Sequence, residues 1–268
     1  AGVHYLDLTE DVATTQLVKS LAVDASHALI PQCGLAPGFI AIVGMALARR
    51  FESLDTLRLR VGALPQYPSN ALAYNLTWST DGLINEYDQP CEAIVAGELR
   101  EVPALENVEA FSLDGVAYEA FNTSGGLGTL AETLAGQVRE LNYKTVRYPG
   151  HRDIVKMLIQ DLRLGARRDL LKEIFEYALP STGQDLVLIF VTATGMRGGR
   201  LVQETYASKI YAAVVGGKIR LHDERIKPAK DVRVGDVLAQ AGSVPVERGG
   251  ARLFVRRVLG FEIGRQRA

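Results

Sequence analysis

The sequence predicts a chain of mixed class: an α/β portion, then an α+β domain with a mixed, mostly antiparallel sheet, and finally a small basic α+β module. Three observations support this. Strand-like and helix-like patterns alternate through the first 55 residues, which is typical of α/β structure. Turn signals between alternating segments predict hairpins after residue 56. Basic charge is concentrated after residue 206. The predicted divisions are therefore 1–55, 56–206 and 207–268.

Composition limits the classes of protein to consider. The chain has 268 residues, of which 47% are hydrophobic, enough for one large domain or two ordinary ones. No apolar run reaches the length of a membrane span and no secretory signal is visible, so we expect a cytoplasmic protein without a membrane partner. Cys33 and Cys91 are predicted to be buried thiols. His4, His27 and His222 stand apart, and we expect no metal.

The first elements follow from local patterns. HYLDLT alternates as a strand does, and Thr9 is in position to cap a helix that runs to about Ala25. HALIPQCG is a short apolar strand ending at Gly34. Pro37 stands near the start of a helix over APGFIAIVGMALARRFES.

From residue 56 onward the patterns predict mainly strands and hairpins. TLRLRVGALP alternates as a strand with one covered face, while PCEAIVAGELREVP and EAFSLDGVAYEAF each predict a hairpin. Further strands are predicted at ELNYKTVRY and at DLVLIFVTATG, the latter joined through MRGGR to LVQETYA. Helices are predicted at 78–87, 128–136, 151–163 and 167–178.

The stretch NTSGGLGTLAET, residues 122–133, matches the G-x-G-x-x-G/A dinucleotide fingerprint letter by letter. Its context does not fit, because the strand before it belongs to a hairpin and the strand after it carries Lys144 and Arg147 where an acid should stand. Two interpretations remain. Backbone N–H groups of the turn bind a substrate carboxylate, with Thr123, Gly125 and Gly126 at the site, or the turn is a structural one that needs positive φ.

Several stretches together resemble the saccharopine dehydrogenase-like oxidoreductases over residues 1–206. These are HYLDLTED, PQCGLAPGF, GALPQYPSNALAYNLTWSTDGLINEY, EAFNTSGGLGTL and KTVRYPGH, and two of them, CGLAPG and KTVRYPGH, are most similar to the branch that includes lysine 6-dehydrogenase. The resemblance implies the terminal portion of a Rossmann domain in residues 1–55, a substrate and dimerisation domain in 56–206, and a homodimer. It also implies hydride transfer between NAD or NADP and the C–N bond of a lysine- or saccharopine-like amino acid. The main cofactor loop is expected upstream of Ala1, so we expect this chain alone to bind NAD(P) weakly or not at all.

The resemblance also implies roles for individual residues. Asp7 and the turn formed by Gly34, Pro37 and Gly38 would lie on the cofactor side, with a purely structural turn as the alternative. Tyr74 and Asn75 would orient the amino-acid substrate by hydrogen bonds.

KTVRYPGH concentrates four polar side chains in eight residues. Arg147 would bind a substrate carboxylate beside Tyr148, while His151 or Lys144 would move the proton that amine oxidation releases. The alternative for His151 is a helix cap or a surface residue.

Residues 207–268 contain 13 Lys and Arg against 6 Asp and Glu. Their pattern, with Gly216-Gly217 before a strand, resembles part of the αL RNA-binding motif of heat-shock ribosome-binding proteins. The resemblance implies RNA or a ribosome as a partner and a set of phosphate-contacting side chains: Lys218, Arg220, Lys227, Lys230 and Arg233. The chain would then be an RNA-binding protein with the metabolic domain as a scaffold. A solvated basic face is the alternative.

Overall fold

The computed structural model describes residues 4–215 and 218–222. Within them the chain begins with a small parallel sheet of two strands, β1 and β2, connected by helix α1, and helix α2 follows. This is the strand and helix alternation that the sequence predicts. The bounds are Tyr5–Leu6 for β1, Val12–Ala22 for α1, Leu29–Ile30 for β2 and Phe39–Ala48 for α2.

The cap of α1 differs from the prediction. Asp11, and not Thr9, caps the helix, because Asp11 Oδ2 accepts a hydrogen bond from the backbone N–H of Thr14 at 2.7 Å. The Thr9 hydroxyl instead accepts from the backbone N–H of Asp11 at 3.2 Å, one step before the helix. Thr9 therefore shapes the approach to the cap rather than the cap itself.

A nine-stranded mixed sheet forms the main body. Its order is β11-β10-β9-β3-β8-β4-β5, and the β6–β7 hairpin is attached to β8. The strands are β3 Ser53–Pro65, β4 Cys91–Val95, β5 Glu98–Val102, β6 Glu109–Leu113, β7 Val116–Asn122, β8 Val138–Arg147, β9 Asp185–Arg197, β10 Arg200–Val215 and β11 Lys218–His222. The helices are α3 Thr80–Asp88, α4 Leu130–Leu134, α5 His151–Lys156 and α6 Arg168–Ala178.

The centre of the sheet combines both strand orientations. β3 runs parallel to β8, with Leu57 opposite Leu141, and antiparallel to β9, with Leu57 opposite Ala193. Each of the other pairs described for this sheet is antiparallel, including the two predicted hairpins. The predicted mixed, mostly antiparallel class is confirmed.

Two apolar clusters hold the helices on the sheet. Ile40, Val43 and Leu47 of α2 pack on Leu57 and Leu59 of β3, which joins the first portion of the chain to the sheet. A second cluster binds α3, α5 and α6 to the segment before α3, and its largest buried side chains are Tyr74, Leu83, Tyr87, Phe121 and Phe175. This second cluster lies beneath the site described below.

Two strands cross the predicted divisions of the chain. β3 passes through 55/56 and β10 passes through 206/207. β11 pairs antiparallel with β10, with Tyr211 opposite His222, so the strand predicted to open the RNA-binding module is the outermost strand of the large sheet. Lys218 and Arg220 lie on it. Lys227, Lys230 and Arg233 lie outside the described residues, and the RNA partner stays a prediction.

Two smaller observations complete the fold. Cys91 is buried, as predicted, whereas Cys33 is half-buried. Among the helices of the described ranges, none combines the length and the apolar character that crossing a membrane would require.

Candidate functional site

A cavity of about 470 Å³ is lined on one side by α1 and the loops near it and on the other by residues of α3 and the large sheet. The loop before α1 forms one side of it, through Glu10 and Asp11. The C-terminal end of α3 forms another, through Asn85 and Glu86, and residues 123–129 form a third. Tyr143 of β8 also lines the cavity. The cavity is thus built from segments that are far apart in the sequence.

The residues of the fingerprint-like stretch form a glycine turn in the cavity wall. Gly125 has φ of +82°, and a Cβ on Gly126 would lie 2.3 Å from the Tyr143 ring. Gly126 is therefore required by the close approach of an aromatic ring. The preceding strand is the hairpin strand β7, and the helix after the turn, α4, spans only five residues. Both features differ from a dinucleotide-binding unit.

Hydrogen bonds attach the glycine turn to α3. The Ser124 backbone N–H donates to the carbonyl of Glu86 at 3.0 Å, and the Ser124 hydroxyl donates to the carbonyl of Asn85 at 3.1 Å. Thr123 is buried, and its hydroxyl is 2.7 Å from that of Thr145. The predicted substrate residues Thr123, Gly125 and Gly126 all line the cavity. Their role in binding stays a prediction.

The cavity has a strongly acidic lining. Lys19 is the single basic side chain among the described lining residues, and its Nζ is 3.1 Å from a carboxylate oxygen of Glu132. The acidic side chains are Glu10, Asp11, Glu86, Glu92, Glu101 and Glu132. A potential of this sign attracts cationic ligands and disfavours anionic ones.

Glu86 is far more enclosed than Glu132: 12% of its side chain is exposed, against 53% for Glu132. Burial raises the pKa of Glu86 to about 7; Arg147 opposes this rise, and the charge of Glu10 adds to it. Arg147 Nη2 lies 3.5 Å from Glu86 Oε2. Near neutral pH the Glu86 carboxyl is therefore divided between its protonated and ionised forms.

Arg147 lies beneath the cavity and not in it. Its side chain is 2% exposed, its Nε donates to the Tyr87 hydroxyl at 2.9 Å, and its Nη1 donates to the carbonyl of Val146 at 3.0 Å. Its guanidinium also lies over the Tyr74 ring, 5.0 Å from the centroid. The structure thus gives Arg147 protein partners, in contrast to the predicted contact with a substrate carboxylate.

His151 belongs to the same hydrogen-bond network and is buried, with 1% of its surface exposed. Its Nδ1 is 2.9 Å from the carbonyl of Leu72, which can only accept, so Nδ1 carries the proton. Its Nε2 is 2.9 Å from the Tyr87 hydroxyl and accepts from it. Burial, followed by the charge of Arg147, lowers the pKa of His151 to about 3. His151 is therefore a neutral, enclosed side chain, whereas the sequence predicts a base of near-neutral pKa.

Lys144 lies on the other face of β8 from Tyr143 and Thr145, because side chains alternate along a strand. Its Nζ donates to the carbonyl of Asn107 at 2.6 Å and to Glu109 Oε2 at 3.0 Å. Burial and the nearby Arg60 lower its pKa. The structure does not bring Lys144 to the cavity, in contrast to the predicted role in proton transfer.

The remaining predicted substrate residues are internal. The Tyr74 hydroxyl accepts from Trp78 Nε1 at 3.0 Å, and Asn75 Oδ1 accepts from Asn70 Nδ2 at 3.2 Å. The Tyr148 hydroxyl donates to the carbonyl of Pro65 at 2.8 Å. None of Tyr74, Asn75 and Tyr148 is among the described residues that line the cavity.

The predicted cofactor residues border the cavity without lining it. Asp7 Oδ1 accepts from the backbone N–H groups of Thr9 at 2.9 Å and Gln32 at 3.1 Å, and Oδ2 accepts from the Tyr5 hydroxyl at 2.7 Å. These three bonds make Asp7 an anchor for the loop that carries Gln32, a cavity residue.

The turn at 34–38 lies against the glycine turn. Gly38 has φ of +132°, and a Cβ there would lie 2.3 Å from the carbonyl of Gly34, so only glycine fits. A Cβ on Gly128 would lie 3.2 Å from Pro37 and 3.0 Å from the Gln32 amide oxygen. Gly34, Pro37 and Gly38 therefore support one wall of the cavity. In the described part of the chain, no three His, Cys, Asp or Glu side chains come together as a metal site.

Sequence reasoning missed Glu86 and Tyr87. The stretch LINEY of α3 contained a signal: Glu86 stands three residues after Leu83 and next to Tyr87, on the face that helical spacing makes apolar. A carboxylate on such a face is rarely buried without a functional or structural partner.

Comparison with known proteins identifies the family. Residues 34–208 match the family model for the saccharopine dehydrogenase C-terminal domain. The chain belongs to the saccharopine dehydrogenase family. This confirms the resemblance for residues 34–208 and places the chain in an oxidoreductase family. The match begins within the turn at 34–38 and ends in β10, so it contains most of the cavity wall.

A solved structure of a saccharopine dehydrogenase shares the fold. Apo saccharopine dehydrogenase (L-Glu forming) from Saccharomyces cerevisiae superimposes with a TM-score of 0.60 at 15% identity, over 79% of this chain and 66% of that one. Homospermidine synthase from Legionella pneumophila, solved in complex with NAD, gives a TM-score of 0.46 at 12% identity, over 82% of this chain and 56% of that one. The present chain thus spans just under two thirds of the length of the yeast enzyme.

Proposed function

We propose that the protein is an NAD(P)-dependent oxidoreductase that acts on the C–N bond of a lysine-like amino acid bound in the acidic cavity. Membership of the saccharopine dehydrogenase family supports the reaction class. The observation that carries the proposal is the acidic cavity itself, with an enclosed carboxylate, Glu86, in its wall. Such a site is suited to an ammonium group that must lose a proton before oxidation.

The reaction balances as follows. The substrate ammonium loses a proton to a base, and the carbon bonded to nitrogen then loses a hydride, which leaves an iminium ion on the substrate. The nicotinamide ring, when bound, accepts that hydride with its two electrons. On this proposal the residues of this chain that face the cofactor are the turn of Gly34, Pro37 and Gly38, which adjoins the cavity wall through Gln32 and Gly128. Asp7 holds that loop in place.

The charge of the cavity favours one substrate class over another. Lysine carries one carboxylate and two ammonium groups, whereas saccharopine carries three carboxylates. Because the lining has six acids and one lysine that is already paired, each additional substrate carboxylate is disfavoured. The backbone at Gly125 and Gly126 lines the cavity and is the proposed position of the single carboxylate of a lysine-like substrate.

The test is amine-dependent reduction of NAD and of NADP by the full chain, followed at the absorbance of the reduced nicotinamide. The cofactor is supplied in large excess, because the family resemblance implies that this chain binds it weakly. Lysine is the primary substrate, Nε-acetyl-lysine is the matched control without the second ammonium, and saccharopine tests the anionic alternative. We expect kcat/KM to be at least tenfold higher for lysine than for either of the other two. Reduction that is fastest with saccharopine, or that is equal for lysine and its acetylated form, would contradict the proposed substrate class.

A further inference from the structure

We propose that Glu86 is the catalytic group that accepts the substrate proton, and that Arg147, Tyr87 and His151 are positioning residues behind it. This inference rests on the proposed amine oxidation and deepens it. The family resemblance implies His151 or Lys144 as the base, but neither residue lines the cavity.

Access is the first argument. A proton acceptor must come within hydrogen-bond distance of the amine nitrogen, about 2.6 to 3.2 Å. Glu86 lines the cavity, with 12% of its side chain exposed to it. His151 has both ring nitrogens bonded within the protein, and Lys144 is on the other face of the sheet. Among the side chains that the structure describes, Glu86 is the lining group that combines a titratable carboxylate with near-complete enclosure.

Orientation is the second argument. Arg147 Nη2 lies 3.5 Å from Glu86 Oε2 on the side away from the cavity. The Arg147 guanidinium donates in turn to the Tyr87 hydroxyl and to the Val146 carbonyl. The Tyr87 hydroxyl donates to His151 Nε2, and His151 donates through Nδ1 to the Leu72 carbonyl. Each bond in this series has one possible direction, because the Leu72 carbonyl only accepts and the guanidinium only donates. The network therefore holds the Arg147 guanidinium in one position, 3.5 Å from Glu86 Oε2.

The groups facing Glu86 account for its raised pKa. Burial and Glu10 raise its pKa, and Arg147 restrains the rise to about 7. The Thr145 hydroxyl of β8 also stabilises the ionised form. Electrostatic contact with Glu86 extends to further titratable groups on the surrounding elements, namely Tyr74, Tyr87, Cys91 and Tyr143.

The proton transfer is balanced at each stage. An ammonium ion entering the cavity stabilises the ionised Glu86, so the protonated fraction of Glu86 releases its proton to solvent on binding. The bound ammonium then transfers one proton to the Glu86 carboxylate, which gives a neutral amine and a carboxylic acid. The neutral amine can lose hydride from its carbon to the nicotinamide, and Glu86 afterwards returns its proton to solvent.

The first experiment needs no turnover. Isothermal titration of lysine into the full chain at pH 7, in two buffers of different ionisation enthalpy, measures protons released on binding. We expect net release of roughly half a proton for the wild type, from a carboxyl half-protonated at that pH, and none for Glu86→Gln. Asp88→Asn is the control, because Asp88 is exposed on the same helix and outside the cavity lining. Equal proton release by wild type and Glu86→Gln would overturn the assignment.

The second experiment is the pH profile of kcat/KM with lysine. In the wild type and Asp88→Asn, kcat/KM should fall as pH decreases, with a midpoint near pH 7; this fall is the acidic limb. Glu86→Gln should lose the acidic limb, and its kcat should be lower by about 10²-fold or more. Glu86→Asp, which keeps a carboxylate, should restore the limb. Reduction in which Glu86→Gln retains the limb refutes Glu86 alone, whereas a wild type that oxidises no amine at any pH refutes the proposed function and this inference with it. Thermal unfolding of each variant confirms that it is folded.

Discussion

Replacement of Gly126 by alanine is the sharpest test of how the cavity wall is built. The added Cβ would lie 2.3 to 2.4 Å from three atoms of the Tyr143 ring. Carbon atoms in contact are separated by about 3.5 Å or more, so the ring must move by roughly 1.2 Å. Tyr143 is 5% exposed, and the buried core around it resists that movement. Overpacking of this kind costs about 1 to 3 kcal/mol.

The net effect also includes the unfolded chain. Alanine restricts the unfolded backbone more than glycine does and so stabilises the folded state by about 0.4 to 1 kcal/mol. We expect Gly126→Ala to lower the free energy of unfolding by about 1.3 kcal/mol. The assay is urea unfolding of the full chain, followed by fluorescence and by circular dichroism. With a slope of about 3 kcal/mol/M, the midpoint should fall by about 0.4 M.

A double-mutant cycle isolates the clash. In a Tyr143→Ala background the ring is absent, and the same Gly126→Ala change should cost less than about 0.5 kcal/mol or even stabilise the protein. Gly126→Ala costs that are equal with and without the ring would refute the close-approach explanation, and would indicate that the glycine serves some other purpose.

Three further predictions follow from the ionisable groups. The folded pKa of Glu86, about 7, is above its ordinary 4.5, so its contribution to stability is complete below pH 4.5 and is lost as pH rises through 7. Urea unfolding at pH 5 and pH 8 should therefore show that Glu86→Gln gains stability relative to wild type at the higher pH. A difference between the two proteins that does not change with pH would contradict the raised pKa. Tyr87→Phe removes the acceptor of Arg147 Nε and frees the guanidinium to approach Glu86. Because Arg147 lowers the pKa of Glu86, the acidic limb of kcat/KM should move to lower pH. An unmoved limb would show that Tyr87 does not position Arg147 for Glu86. Lys144→Met should leave the acidic limb in place while it lowers the free energy of unfolding by about 1 to 3 kcal/mol through the lost bonds to Glu109; a lost limb would instead support the proton-transfer role implied by the family resemblance.

Much of the fold could be predicted because its signals are local. Alternation predicted β3, and the Ala-Gly and Asp-Gly turns predicted both hairpins. The stretches ELNYKTVRY, DLVLIFVTATG and LVQETYA predicted β8 to β10. Capping was predicted less precisely. Thr9 and Asp11 both have capping side chains, and the choice depended on which backbone N–H each side chain reaches, a difference of two residues that propensity alone does not resolve.

The site was less predictable because its geometry depends on distant partners. KTVRYPGH predicts a cluster of polar residues at one site, but alternation along β8 places Lys144 on one face and Arg147 on the other. The Tyr87 hydroxyl, some 60 residues earlier in the chain, is the partner that links Arg147 to His151. No local pattern specifies that pairing, so the network and the enclosed carboxylate of Glu86 beside it are seen only in the three-dimensional structure.

The position of β3 between β8 and β9 has a consequence for how the protein is made. Leu57 is opposite Leu141 on one side and Ala193 on the other, and the second partner is roughly 135 residues downstream. At a ribosomal rate of about 5 to 20 residues per second, β3 waits on the order of ten seconds before both neighbours exist. During that interval its apolar residues have no completed sheet to join, and such long-range pairing is slow and prone to aggregation. Expression of this chain should therefore depend on temperature and on chaperones more than its native stability alone would indicate.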